Sequence, residues 1–298
     1  MKQLSNLTKV MFCVVAVLLV ITVVLGVMTA VKDSKENKGN NQASSTTVTP
    51  IPTTPVTPGG TEDEPVSDAT PTPEPTETPV PTEAPVAGGH KIALDPGQQK
   101  SAMDDKEPVG PGASDTTAKM SYGATSVTTG KREYEWSLPF TLRLKAELEA
   151  RGYEVVLTRE EADVMISNAE RAQFVNESGA EVYLSIQADA ASNKDAKGIY
   201  TQIPSPSNAY VGNLYNDCKN LAKEIQNNLI AETGTRDRGV QEIDKLATIN
   251  YSKVPVAVLQ LGFMSNKEED GNLWSEEYQD KMIKAICDGI DTYFQEQE

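Results

Sequence analysis

Eleven of the chain's 18 prolines lie between Pro50 and Pro85, many of them beside threonine. From residue 33 to residue 89 the chain is threonine, proline, serine, glutamate and glycine with little else. Such a segment has too little apolar surface to offset the entropy of ordering, so it is expected to stay disordered and fairly extended. Wholly in polyproline II it would reach on the order of 170 Å, an upper bound. Folding is thereby confined to the flanks, residues 1–32 and 90–298.

The first flank carries VMFCVVAVLLVITVVLGVMTAV at 10–31, a run without a single charge. About 20 such residues span the roughly 30 Å hydrocarbon core of a bilayer. A cleavable leader would have a shorter apolar region and a small-x-small site, and the best candidate here, near Met28-Thr29-Ala30, is poor. Residues 1–32 are therefore read as a cytoplasmic tip and a transmembrane signal anchor. Lys2 and Lys9 precede the run and Lys32, Lys35 and Lys38 follow it, so flanking charge leaves the orientation balanced. The linker resolves it, because a long Thr/Pro tether suits a domain working away from the membrane, inside a cell wall. The expected location is the cell membrane, single-pass, with the C-terminal domain extracellular.

Residues 90–298 hold 22 lysines and arginines against 34 aspartates and glutamates, a net of −12. That balance argues against nucleic acid and against anionic lipid as partners. Cys218 and Cys287 fall in expected helices; two such cysteines could pair outside the cell, but sequence alone does not place them together, and they are read as reduced, buried thiols.

This second flank alternates strands with helices. His90–Leu94, Tyr153–Leu157, Val182–Ile186, Ile199–Ile203 and Val254–Leu261 read as short apolar strands. Glu135–Arg151, Ile166–Ser178, Asn213–Ile230 and Glu277–Phe294 read as helices, with Gly179 closing the second and Gly234 near the end of the third. The alternation predicts an α/β domain with a twisted, mostly parallel sheet of about six strands and helices on both faces. Ligands of such sheets collect beyond the carboxyl ends of the strands. Those ends carry Asp95-Pro-Gly-Gln98, Gln187-Ala-Asp189 and Gln260. Gln260, inside the apolar run VAVLQLGF, must satisfy its amide or face a pocket. The Gly-rich and Pro-containing stretch Lys100–Gly130 reads as a long loop overhanging the groove.

Several of these motifs stand in one order: KIALDPG, Glu133 before a helix, RGYEVVLTR ending at Arg159, Arg171 and Asn176, LSIQADA, RGV at Arg238–Val240, and VPVAVLQLGFMSN. Together, from about His90 to Phe294, they resemble the zinc-dependent N-acetylmuramoyl-L-alanine amidases of the amidase-3 type. The resemblance implies a mixed sheet flanked by helices and hydrolysis of the amide between the muramic acid lactyl group and the first L-alanine of the stem peptide. It implies peptidoglycan as partner and admits cell-wall, divisome or sporulation proteins beside it. It also implies zinc held by two histidines and a glutamate, with a second glutamate moving protons. Carried over position by position, the zinc ligands fall on Gln98, Glu133 and Gln187, and the general acid/base on Gln260.

Three of those four positions are glutamine. A carboxamide is a weak ligand for zinc, which takes imidazole, thiolate or carboxylate, and Gln260 cannot titrate. The chain has one histidine, His90, so a two-histidine site cannot be rebuilt. The expectation is an amidase-like domain without an intact metal or catalytic site, predicted to bind no zinc and to act in peptidoglycan binding or in regulating wall hydrolysis. Two alternatives stand beside it: an active amidase with an atypical metal site, and a protein-interaction module. A cluster of Asp95, Glu133 and Asp189 holding calcium or magnesium is the one route to a different ion; otherwise Asp95 caps its turn and Asp189 is a solvated loop residue. Glu135 is expected to complement the dipole of its helix. Asp95, Glu133, Asp189 and Gln260 are thus the groove residues to locate.

Overall fold

The computed structural model describes residues 89–297. The apolar run at 10–31 and the tether at 33–89 lie outside the described residues, apart from Gly89. Among those described, no helix is long and apolar enough to cross a membrane.

The strands are β1 (Lys91–Pro96), β2 (Met103–Pro108), β3 (Thr116–Met120), β4 (Glu154–Leu157), β5 (Val182–Asp189), β6 (Ile199–Ile203), β7 (Asp237–Glu242) and β8 (Val256–Phe263). The helices are α1 (Glu133–Ala150), α2 (Asn168–Ser178), α3 (Tyr215–Thr233), α4 (Ala247–Asn250), α5 (Lys267–Leu273) and α6 (Glu276–Gln295). Six strands form one sheet in the order β4-β1-β5-β8-β6-β7. The first four run parallel; β6 is antiparallel to β8 and parallel to β7. All eight residues of β8 are buried and β5 is buried through Ile186, which explains why both read as unbroken apolar runs.

From β1 the chain steps outward through α1 to β4, then returns through α2 past β1 to β5. Right-handed crossovers in opposite directions place α1 and α2 on opposite faces. The step reverses beside β1, and sheets of this kind receive ligands outside the carboxyl ends of the strands at such a reversal, here β1 and β5. Pairing of Asp95 with Ser185, Gln187 with Gln260, and Gln260 with Tyr200 sets polar residues in a row across that end of the sheet.

One expectation is corrected. The stretch from Lys100 to Gly130 is not a structureless loop: β2 and β3 pair as an antiparallel hairpin with a register shift. It lacks an apolar face, and β2 buries only Glu107, so no alternation marked it. Both flanks of the hairpin are tied to the core by carboxylates. Glu107 accepts from the Ala169 amide at the start of α2 (3.3 Å), where an anion suits the helix dipole. Fully buried Asp270 takes the Ser126 hydroxyl (2.8 Å), the Thr128 amide (2.7 Å) and the Thr128 hydroxyl (2.6 Å) on one oxygen. Strand β7 and helices α4 and α5 were likewise unmarked by any apolar period. Cys218 and Cys287 are buried free thiols.

Candidate functional site

The site begins at the turn after β1. Two buried arginines grip its carbonyls. Arg159, from the segment after β4, donates Nε to Pro96 O (3.0 Å) and Nη2 to Gly97 O (3.1 Å). Arg171, from α2, donates Nη1 to Pro96 O (3.0 Å) and Nη2 to Gln98 O (3.0 Å). Ser137 Oγ adds a bond to Gly97 O at 2.6 Å. So held, Gln98 keeps a left-handed backbone at φ 59°, unusual for a residue with a side chain. Burial, reinforced by Arg171 beside it, brings the Arg159 guanidinium down to about 10.

Glu133 stands at the first turn of α1 with both oxygens engaged: Oε2 accepts from the Ala124 amide (2.9 Å) and Oε1 from the Ala188 amide (3.1 Å). Burial raises its carboxyl to about 7, against the pull of those two amides and of Arg159. Two glycines let the neighbours close in. A Cβ on Gly97 would lie 2.7 Å from Gln187 Cγ and 3.4 Å from Glu133 Oε1. A Cβ on Gly123 would lie 2.3 Å from Glu133 Oε2 and 2.5 Å from Gln98 Cγ. Gln98, Glu133 and Gln187 therefore converge on one spot, and Gln260 joins them by donating Nε2 to Gln187 Oε1 at 2.9 Å. Ser121 Oγ caps the cluster by donating to Gln98 Oε1 (3.1 Å).

The orientation of these amides follows from Asp95. Ion-paired with Arg171, Asp95 only accepts, so Ser185 Oγ donates to its Oδ2 (2.8 Å) and is left to accept from Gln187 Nε2 (3.2 Å). Gln187 then presents its carbonyl to Gln260, and Gln260 Oε1 is left buried without a partner. The polarity of one carboxylate is passed through Ser185 and Gln187 to a free acceptor at Gln260.

Three sequence expectations change here. Asp95 does not cap the turn and does not line the groove. It is buried in an ion pair with Arg171 at 2.6 Å and also accepts from Thr158 and Ser185. Asp189 is not a solvated loop residue: it ends β5, half-buried, and accepts from the Ala190 amide and the Tyr200 hydroxyl. Asp95, Glu133 and Asp189 consequently form no cluster for a hard cation, and among the described residues no group of three or more His, Cys, Asp and Glu could hold a metal. Glu135 behaves as expected at a helix start, accepting from the Arg132 amide at 2.8 Å.

The donor set does not fit a catalytic zinc. It offers one carboxylate, both oxygens already bonded to backbone amides, and three neutral carboxamides, two of them bonded to each other. His90 lies at the opposite end of β1, stacked on Phe294 (4.1 Å between rings) and paired with Glu181 (2.9 Å).

The rim of the cluster holds residues that periodicity could not single out. Arg132 lies over the Tyr122 ring at 4.4 Å, next to Gly123 and Ser121. Arg238 lies over Tyr200 at 5.8 Å and Phe263 at 5.2 Å. Tyr200 is the β6 partner of Gln260, a neighbour that the order of strands in the sheet determines.

Residues 92–292 match the sequence profile of the Amidase_3 family, described as N-acetylmuramoyl-L-alanine amidase. The chain is 32% identical over 169 residues to the Bacillus subtilis protein YqiI, covering 57% of this chain and 78% of YqiI. It is 32% identical over 171 residues to the B. subtilis N-acetylmuramoyl-L-alanine amidase LytC, covering 57% of this chain and 32% of LytC. The chain thus spans about a third of LytC. Among solved structures, the Mycobacterium smegmatis amidase Ami1 superposes with a TM-score of 0.63 at 24% identity, over 71% of this chain and 99% of that one. The CwlD amidase of Clostridioides difficile, solved in complex with the GerS lipoprotein, gives 0.56 at 25% identity over 70% and 99%.

Proposed function

The chain belongs to the Amidase_3 family of N-acetylmuramoyl-L-alanine amidases, and from that membership we propose a wall-binding domain that holds peptidoglycan without cutting it. The observation that carries this reading is the amide-to-amide bond from Gln260 to Gln187. On this reading Gln98, Glu133 and Gln187 occupy the family's zinc positions and Gln260 the position of its proton-transfer glutamate. A general acid/base group contributes about 100- to 10,000-fold to such a hydrolysis, and a carboxamide with no titrating proton supplies none of it. The surrounding frame supports the reading: a braced turn, a buried carboxylate and an unpartnered acceptor stand at the carboxyl ends of the strands.

We further propose that residues 10–31 anchor the chain in the membrane and that the Thr/Pro tether carries the domain outward into the wall. The structure of CwlD in complex with the GerS lipoprotein supports a wall or sporulation protein as an additional partner.

Two measurements test the reading. The whole 298-residue chain, purified in detergent, should co-sediment with purified walls and release no free stem peptide, with or without added zinc. Sustained release of stem peptide by the unmodified chain would establish an active amidase instead. Protease added to intact, wall-stripped cells should digest the domain; protection until lysis would reverse the topology.

A further inference from the structure

Two arginines that lie over aromatic rings belong to segments bordering the glutamine cluster. Arg132 precedes Glu133 directly and covers Tyr122, whose neighbours Ser121 and Gly123 touch Gln98 and Glu133. Arg238 covers Tyr200 and Phe263 on the strands beside Gln260. Arg159 and Arg171, by contrast, are buried against backbone carbonyls; among the described arginines only Arg132 and Arg238 lie over aromatic rings.

Both are exposed, in a domain of net charge −12, yet among the described residues neither forms an ion pair. Arg238 makes one long bond, to Lys197 O at 3.4 Å. Asp189, the carboxylate bonded to Tyr200, is already engaged by that hydroxyl and by the Ala190 amide. A guanidinium held over a ring is partly pre-positioned and keeps N–H groups for bidentate contact with a carboxylate. Beside the Tyr200 strand, Gln260 Oε1 is buried, unpartnered and able only to accept. A buried carbonyl in that condition calls for an N–H from outside.

Resting on the wall-binding reading, we propose that Arg132 and Arg238 make the domain selective for peptides with free carboxylates. Each arginine takes a carboxylate of the bound peptide while Gln260 Oε1 accepts a peptide N–H. Walls whose peptide carboxyls are converted to carboxamides would then be poor ligands, because a neutral amide cannot form the charge-assisted fork.

The test is calorimetric binding of the purified 298-residue chain to two soluble disaccharide-peptide fragments, identical except that one carries free carboxyls and the other carboxamides. The free acid should bind at least about 10-fold more tightly, and this advantage should shrink as salt is raised. Arg132→Gln and Arg238→Gln should each weaken free-acid binding by about 10-fold while leaving amidated-fragment binding within about 2-fold. Lysine at either position should restore part of the loss, since charge remains but the fork does not. If both fragments bind equally and the glutamine variants change neither, the selectivity is overturned and the wall-binding reading stands. If neither fragment binds, both fall.

Discussion

Gln260 donates to Gln187 at 2.9 Å across adjacent parallel strands, and the direction of that bond is imposed from Asp95 two hydrogen bonds away. The cluster is therefore a polarised chain, and its parts are not interchangeable.

A first consequence concerns Gln260→Glu alone. An ionised carboxylate would face the Gln187 carbonyl with no proton to share, in a buried place. The variant should be destabilised by about 1–3 kcal/mol at neutral pH, read from denaturant unfolding. The deficit should narrow at pH 4 to 5, where the new carboxyl is protonated and can donate. Unchanged stability at neutral pH would mean that the two amides are not coupled.

The unmodified chain should show the same melting temperature with zinc, without it, and with a chelator. Changing Gln98→His, Gln187→His and Gln260→Glu together supplies two imidazoles and a further carboxylate around Glu133. Equilibrium dialysis should then find about one zinc per chain, and zinc should raise the melting temperature. Failure of the triple variant to bind zinc would show that these positions are not the family's metal positions.

Asp270 gathers three donors from the Ser126–Thr128 turn on one buried oxygen. Asp270→Ala leaves them unsatisfied and should cost roughly 3 kcal/mol. Proteolysis should then cut first between residues 121 and 131, ahead of global unfolding. Cleavage elsewhere at the same rate would deny this clasp its role.

Burial raises the carboxyls of Glu107, Glu133 and Glu269, Glu133 to about 7. Each holds its proton more tightly folded than unfolded, so its contribution to stability is full below about pH 4.5 and is lost as pH rises, for Glu133 through about 7. For Glu133 alone the loss is on the order of 3 kcal/mol. Asp288 works the other way: burial alone would raise it, but Lys284 and Arg151 hold it below its ordinary value. Its contribution disappears as pH falls below about 4. Melting temperature should peak near pH 4 to 5 and decline toward neutrality. A steady rise from pH 5 to 7 would contradict the buried state of these groups.

Local chemistry determined much of this protein from sequence alone. Apolar runs such as VYLSI and VAVLQLGF read as strands buried on both faces, and the 3.6-residue period of α6 marks its inward side, whereas the leucines of α1 mislead: Leu142 is exposed while Ser137 and Thr141 are buried. Gln98, Gln187 and Gln260 could be placed at strand ends by the same pattern of apolar runs. Other features depended on contacts between residues distant in sequence. Asp95 reads as a turn residue until Arg171, 76 positions away, pairs with it. Asp189 reads as solvated until β6 brings Tyr200 to it. The β2–β3 hairpin has no apolar alternation to betray it and is held by Glu107 and Asp270 against helices elsewhere in the chain. The row Gln187, Gln260, Tyr200, Arg238 exists because β8 lies between β5 and β6, an order set by how six strands share one core. Sequence determined which side chains could meet at the strand ends; the tertiary structure decided which of them do, and which oxygen among them was left without a donor.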